Sequence, residues 1–145
     1  TTEAMSTKVV PLPIGQYPAF ISETPEIKQW ASKDGQKSGL KLSVKWEVTV
    51  SPEVAEQIGR EKAIIPQDIM LDIVTINDKP ALDTAQGKNI NLGRLREATG
   101  LNEPGVPFRF TDLAGKMATI EVKHRMSEDG QDAYQEVKKV SAISY

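Results

Sequence analysis

Alternation with a period of two organises this chain more than helical spacing does. It is clearest over residues 41–50. There Leu42, Val44, Trp46, Val48 and Val50 alternate with Lys41, Ser43, Lys45, Glu47 and Thr49. Such spacing puts apolar side chains on one face of a strand and polar, mostly basic ones on the other. Residues 116–125 (KMATIEVKHR) repeat it: Ala118, Ile120 and Val122 face one way, Met117, Thr119, Glu121, Lys123 and Arg125 the other. Residues 16–23 (QYPAFISE) read as a first strand, entered through the turn-like PLPIG. The run 64–76 (IIPQDIMLDIVTI) is rich in strand formers, and its Pro66 suits a strand start or an edge. Residues 133–143 read as the last strand, reached through the polar turn SEDGQD with its Asp129-Gly130 hairpin signal.

Helical signals are fewer. Ser51 before Pro52 and Glu53 predicts a short helix to about Gly59, with Ser51 as N-cap and an acid in the first turn. Residues 89–99 carry Leu92, Leu95 and Thr99 on one face; Gly100 suits the left-handed residue past the end, and Leu101 can fold back onto Leu95. Gly93 inside that helix costs about 1 kcal/mol relative to alanine. Residues 78–88 read as a loop, and 108–113 follow the GVP turn. The segment after Thr24-Pro25-Glu26 has two readings: a short helix with Ile27, Trp30 and Ala31 inward, or a strand continuing into a long hairpin.

The expected order is three strands, a helix, then a two-stranded hairpin, with a helical insertion after the second strand. Five strands with a helix between the third and fourth is the order of the OB-fold, a small partly open β-barrel, so the expected class is all-β. A β-sandwich or an α+β sheet with one covering helix is the alternative. At 145 residues the chain suits one domain, expected over 11–145 behind an N-terminal extension of 1–10, whose first four residues precede Met5 and are set aside.

Composition narrows the chemistry. Charged residues are 26% and apolar ones 39%, an ordinary globular balance. No apolar run nears the roughly eighteen residues of a membrane span, and TTEAMSTK lacks the pattern of a signal peptide. No membrane association and a cytoplasmic location are expected. Without cysteine and with one histidine, His124, there is no disulfide framework, thiolate site or histidine-rich zinc site.

Catalytic motifs are missing. Gly87-Lys88 lacks the spacing of a phosphate loop, and no nucleophile elbow or HExxH occurs. Asp68 and Asp72 could share a strand face and hold Mg²⁺ as a nuclease would, but two acids on a solvated face is the blander reading. Glu128, Asp129 and Asp132 lack EF-hand spacing, and His124 reads as a strand-end polar residue. The chain is therefore expected to be no enzyme and to carry no cofactor or metal.

The net charge is −2, yet residues 28–45 hold Lys28, Lys33, Lys37, Lys41 and Lys45 against Asp34 alone, a local +4. A lysine-blunted sheet edge is one reading of it; a polyanion site is the other. Sequence-tolerant binding of single strands needs cations for phosphates and rings for bases. Further cations are Lys123, Arg125, Lys138 and Lys139 in the closing hairpin. Among the rings, Trp46 belongs to the core by its place in the alternation. Trp30 sits among polar residues and is either a stacking platform or a cap on the core; Tyr134, beside a polar turn, poses the same choice. Phe108, Phe110, Tyr17 and Phe20 read as packing residues.

The phrases LPIGQYPAFISE, SKDGQKSG leading into LKLSVKWEV, EATGL, and LAGKMATIEVKHR with DAYQEVKKVSAI resemble a family of small phage-encoded single-stranded DNA-binding proteins. Many of its members are described only as a domain of unknown function. The resemblance spans residues 12–143 and rests on strand phrases rather than one diagnostic motif. It implies an OB-fold that coats single-stranded DNA in phage replication or recombination, with replication or recombination proteins as further partners and a homo-oligomer left open. The chain departs from it at the insertion 52–60, and it ends in SAISY rather than in the acidic tail with which bacterial single-strand-binding proteins recruit partners, so recruitment through such a tail is not expected. The expected interface is Lys28, Trp30, Lys33, Lys37, Lys41, Lys45, Lys123, Arg125, Tyr134 and Lys138. The alternative is a protein-interaction or virion-structural module on the same small β-fold, without nucleic-acid affinity.

Overall fold

The alternation at residues 41–50 becomes the spine of a sheet. The computed structural model describes residues 10–130 and 133–143. Outside them lie most of the expected N-terminal extension, Asp132 of the acidic turn and the final two residues of SAISY. Along the described residues run β1 (Gly15–Ile21), β2 (Glu26–Ala31), β3 (Ser38–Thr49), α1 (Pro52–Ile58), β4 (Lys62–Leu71), β5 (Ile73–Ile76) and β6 (Lys79–Leu82). Then come α2 (Ile90–Ala98), a 3-10 turn (Phe110–Leu113), β7 (Met117–Met126) and β8 (Ala133–Ser141). Strand accounts for 47% of the described residues, so the protein is mostly β, as expected.

Six strands form one antiparallel sheet in the order β2-β3-β1-β7-β8, with β4 on the other edge of β3. One edge of β3 serves two partners: its first half pairs β2, from Ala31 opposite Ser38 to Glu26 opposite Ser43. Its second half meets β1, with Ile21 opposite Trp46. The other edge pairs β4 from Leu40 opposite Leu71 to Thr49 opposite Lys62. β1 pairs in turn with β7, and β7 with β8.

Where five strands were expected there are eight among the described residues, and each difference has a local cause. The chain breaks after Ile21 and resumes as a strand at Glu26, so the strand reading of that segment holds and the helical one does not. Pro25 is buried in the break, where its missing N–H costs no ladder bond. The run 64–76 divides at Asp72, and residues 79–82, expected in a loop, form β6 against β5. The turn between them is Asn77-Asp78, both left-handed (φ 51° and 62°). That conformation suits a two-residue hairpin turn and is tolerated by these two residue types.

Asn89 ties this hairpin down. Its Oδ1 accepts the Asp72 N–H at 2.8 Å, and its Nδ2 donates to the Asp72 and Asp83 carbonyls, each at 2.9 Å. The Asp72 carboxylate accepts the Asn89 backbone N–H at 2.8 Å. Both helices are where the caps predict them: Ser51 accepts the Val54 N–H, and Gly59 (φ 79°) and Gly100 (φ 77°) are left-handed past their ends.

The core lies inside the curl of the sheet. Leu42, Val44, Trp46 and Val48 of β3 meet Ile21, Ile65, Ile69, Ala118, Ile120 and Val122, with Leu92 and Leu95 of α2 and Leu113 closing it. Trp46 is 0% exposed, and its indole N–H donates to Gln67 Oε1 at 2.8 Å, so burying the ring strands no donor. No backbone pairing joins β4 to β8 among the described residues, and the sheet stays open there. Gln135 of β8 spans the opening: it accepts the Leu12 N–H at 2.9 Å and donates to the Ile64 carbonyl at 3.3 Å. His124 Nε2–H donates to the Leu12 carbonyl at 2.5 Å, which fixes its tautomer because a carbonyl only accepts. No helix among the described residues is long and apolar enough to cross a membrane.

Candidate nucleic-acid interface

Register decides what shares a face. Because the even-numbered side chains of β3 are buried, Gly39, Lys41, Ser43 and Lys45 turn outward. Residues directly opposite in neighbouring strands project to the same side. Trp30 lies opposite Gly39 and Lys28 opposite Lys41. Across the other edge, Met70 lies opposite Lys41, Asp68 opposite Ser43 and Pro66 opposite Lys45. Four of the sequence-predicted residues, Lys28, Trp30, Lys41 and Lys45, therefore stand on one outer face.

Trp30 is half-buried there, with its indole seated on the bare backbone of Gly39. A β-carbon on Gly39 would stand 2.9 Å from Nε1 and 3.2 Å from Cε2 of the ring. A ring resting on glycine is one way sheets cover a missing side chain. Here it also seats the indole over Gly39, on the face that carries Lys28 and Lys41.

The lysines are not bare. Lys28 opposite Lys41 would be a repulsive cross-strand pair. The repulsion is relieved by Asp68 at 2.9 Å from Lys41, and by Glu26 at 3.9 Å from Lys28. Lys45 pairs with Glu23 of the β1–β2 break at 3.1 Å. A shallow depression beside that break is lined by Glu23, Pro25, Lys28 and Lys45.

Lys33 and Lys37 sit on the β2–β3 turn. Asp34 holds that turn, accepting the Ser32 hydroxyl at 2.5 Å and the Gln36 N–H at 3.0 Å. These bonds, the Ser32 hydroxyl foremost, hold its carboxyl below the usual range. Lys33 reaches Glu128 on the β7–β8 turn at 2.5 Å, bringing the two hairpin tips together. Lys37 has no carboxylate partner among the described residues.

The remaining predicted residues form a second group on β7 and β8. Arg125 lies opposite Tyr134, its guanidinium 5.5 Å from the centre of a ring that is 48% exposed. Glu136 takes both Arg125, at 2.5 Å, and Lys123, at 3.7 Å. Lys138 falls at the bulge where the register shifts between Glu121 and Val122, exposed and without a carboxylate partner among the described residues. The two groups meet at the hairpin tips, through Lys33 and Glu128.

Asp68 and Asp72, weighed in the sequence as a minor metal-site reading, do not share a face. Asp68 is on the outer face with Lys41, while Asp72 lies between β4 and β5 and is bonded to Asn89. Among the described residues no cluster of three or more histidine or acidic groups could hold a metal. Sequence reasoning missed Glu23, Asp68, Glu128 and Glu136 as neutralising partners, and Gly39 as the seat of Trp30. Each is remote in sequence from its partner, and only strand register could have revealed them. No protein-family model and no curated protein matches the chain.

Proposed function

We propose that this is an OB-fold protein that binds single-stranded DNA with little sequence preference and without catalysis. Counting β1 and β2 as one bent strand and setting aside the β5–β6 hairpin leaves five strands, with α2 between the third and fourth. That connectivity is the support for the OB-fold. The observation that carries the binding reading is Trp30 on Gly39, in one face with Lys28, Lys41 and Lys45. A ring on a flat strand surface beside cations is what a base and its phosphate require, and such stacking is worth about 1–3 kcal/mol per base. Arg125 and Tyr134 extend the same chemistry towards β8. The setting implied by the sequence resemblance, phage replication or recombination in the host cytoplasm, belongs to the same proposal.

Titration with oligo-dT tests it, with tryptophan fluorescence as the signal. Quenching that saturates, with affinity falling as salt rises, is expected because phosphate contacts release counterions. No binding at low salt overturns it. A protein-interaction role has one observation in its favour: Ile73 and Ile76 of the projecting β5–β6 hairpin and the nearby Ile90 are exposed. Ile73 and Ile76 face opposite ways on their strand, so they make no single patch, and only an oligomer that forms without DNA, in a protein that ignores oligo-dT, would favour this role.

A further inference from the structure

The candidate interface already carries its own anions. Of the eight cations predicted to meet phosphates, Lys28, Lys33, Lys41, Lys45, Lys123 and Arg125 are each within ion-pair distance of a carboxylate. Five acids serve them: Glu26, Glu128, Asp68, Glu23 and Glu136. Among the described residues, three of the eight positive charges are left uncompensated: Lys37, Lys138 and one of the two sharing Glu136. Lys28 and Lys41, nearest the Trp30 seat, are both matched, by Glu26 and Asp68, and Lys45 further along the face by Glu23.

We propose that Glu23, Asp68 and Glu136 are specificity determinants that stand in for phosphates in the free protein, so that a polyanion must exchange for them. The inference rests on the single-stranded DNA reading above. Its physical content is ion exchange. When a phosphate takes a lysine from a carboxylate, the phosphate sheds a counterion and the freed carboxylate acquires one. The salt-driven gain of that contact cancels. Charge alone then attracts a polyanion weakly, and the remaining free energy comes from bases laid on Trp30 and Tyr134. A duplex keeps its bases stacked inside and gains little from those rings; a single strand offers them. The carboxylates thus suppress duplex DNA and other polyanions that have nothing to stack.

Salt dependence gives the measurable consequence. Each uncompensated contact to a single strand contributes about −0.7 to the slope of log K against log salt. Three such charges give a slope of about −2, whereas eight would give about −6. Removing Glu23 and Asp68 converts two exchange contacts into releasing ones.

The test compares the wild type with Glu23→Gln/Asp68→Asn, with Glu136→Gln, and with the control Glu56→Gln/Glu97→Gln. The control acids lie on α1 and α2, are exposed, and pair with no cation among the described residues. Fluorescence titrations with oligo-dT, and with an equally long duplex, are run across salt, with thermal melts as a fold check. Glu23 and Asp68 are substantially exposed, and the amides keep their shape, so folding is expected to persist. The expected result is a slope for oligo-dT steeper by about 1.4 in the double variant. Glu136→Gln should steepen it by about 0.7, and duplex binding should appear at low salt in the double variant. The control should match the wild type. An unchanged slope in both interface variants overturns the inference, as does equal steepening in the control, while the binding reading survives. A wild type that does not bind oligo-dT overturns the binding reading itself, and the inference with it.

Discussion

Trp30 and Gly39 face each other across β2 and β3, and the indole fills the space that any side chain at Gly39 would need. The Gly39 backbone is not in the left-handed region, so alanine there is strained by the ring and not by the chain. Gly39→Ala should lift the indole from the strand, shift its emission and weaken oligo-dT binding several-fold while the protein stays folded. Trp30→Ala should lower affinity by about 1–3 kcal/mol with a small change in the urea midpoint. Normal binding by both variants would place the interface elsewhere.

Trp46 should behave oppositely. It is fully buried beneath the same sheet, and Trp46→Ala removes the largest side chain of the core and orphans Gln67. A stability loss of about 3–5 kcal/mol in urea unfolding is expected. The two tryptophans, sixteen positions apart in the sequence, separate into binding and folding roles by this pair of measurements.

Asn89 predicts how the β5–β6 hairpin detaches. Asn89→Gly removes three side-chain hydrogen bonds without straining a backbone at φ 53°. Amides of β5 and β6 should then exchange with solvent much faster while those of β3 and β7 stay protected. Uniform loss of protection would mean that the hairpin and the main sheet unfold together.

Two titrations follow from geometry. The Asp34 carboxyl is lowered by the Ser32 hydroxyl and the Gln36 N–H. Its contribution to turn order is present above the ordinary aspartate value and lost as pH falls through its depressed value. Ser32→Ala should move its carboxyl resonance back towards the usual titration midpoint. Burial raises the Tyr17 phenol, whose hydroxyl donates to the Pro13 carbonyl at 2.7 Å. Its contribution is full below the ordinary tyrosine value and disappears as pH rises through the raised one. Absorbance titration should show this late phase, and Tyr17→Phe should abolish it.

How much could be read beforehand follows the range of each interaction. β3, β7 and their buried faces were legible because alternation is written in consecutive residues, and the caps of α1 because Ser51 and Pro52 adjoin. β2 was ambiguous because Thr24-Pro25-Glu26 is both a helix start and a strand break. Only the pairing of Lys28 with Lys41 resolves it. β6 was missed because its strand character comes from β5 and a left-handed Asn77-Asp78 turn, not from its own four residues. The lysines of the candidate face were visible as a run. Their neutralisation was not, since Glu23, Asp68 and Glu128 reach them only through the fold.

Gln135 holds the Leu12 backbone across 123 positions of sequence, and β1 finds its β7 partner only after Gly15 meets Val122. A ribosome must therefore deliver the chain as far as β7 before the first strand gains its second neighbour. Until then β1 keeps one edge unpaired, although both edges of β3 are already filled by β1, β2 and β4, and the apolar face of these strands lacks β7. Topologies dominated by such distant pairings fold in milliseconds to seconds rather than microseconds. The interval between emergence of β1 and arrival of β8 is when this protein is most exposed to misassociation, and when a chaperone would gain most from holding it.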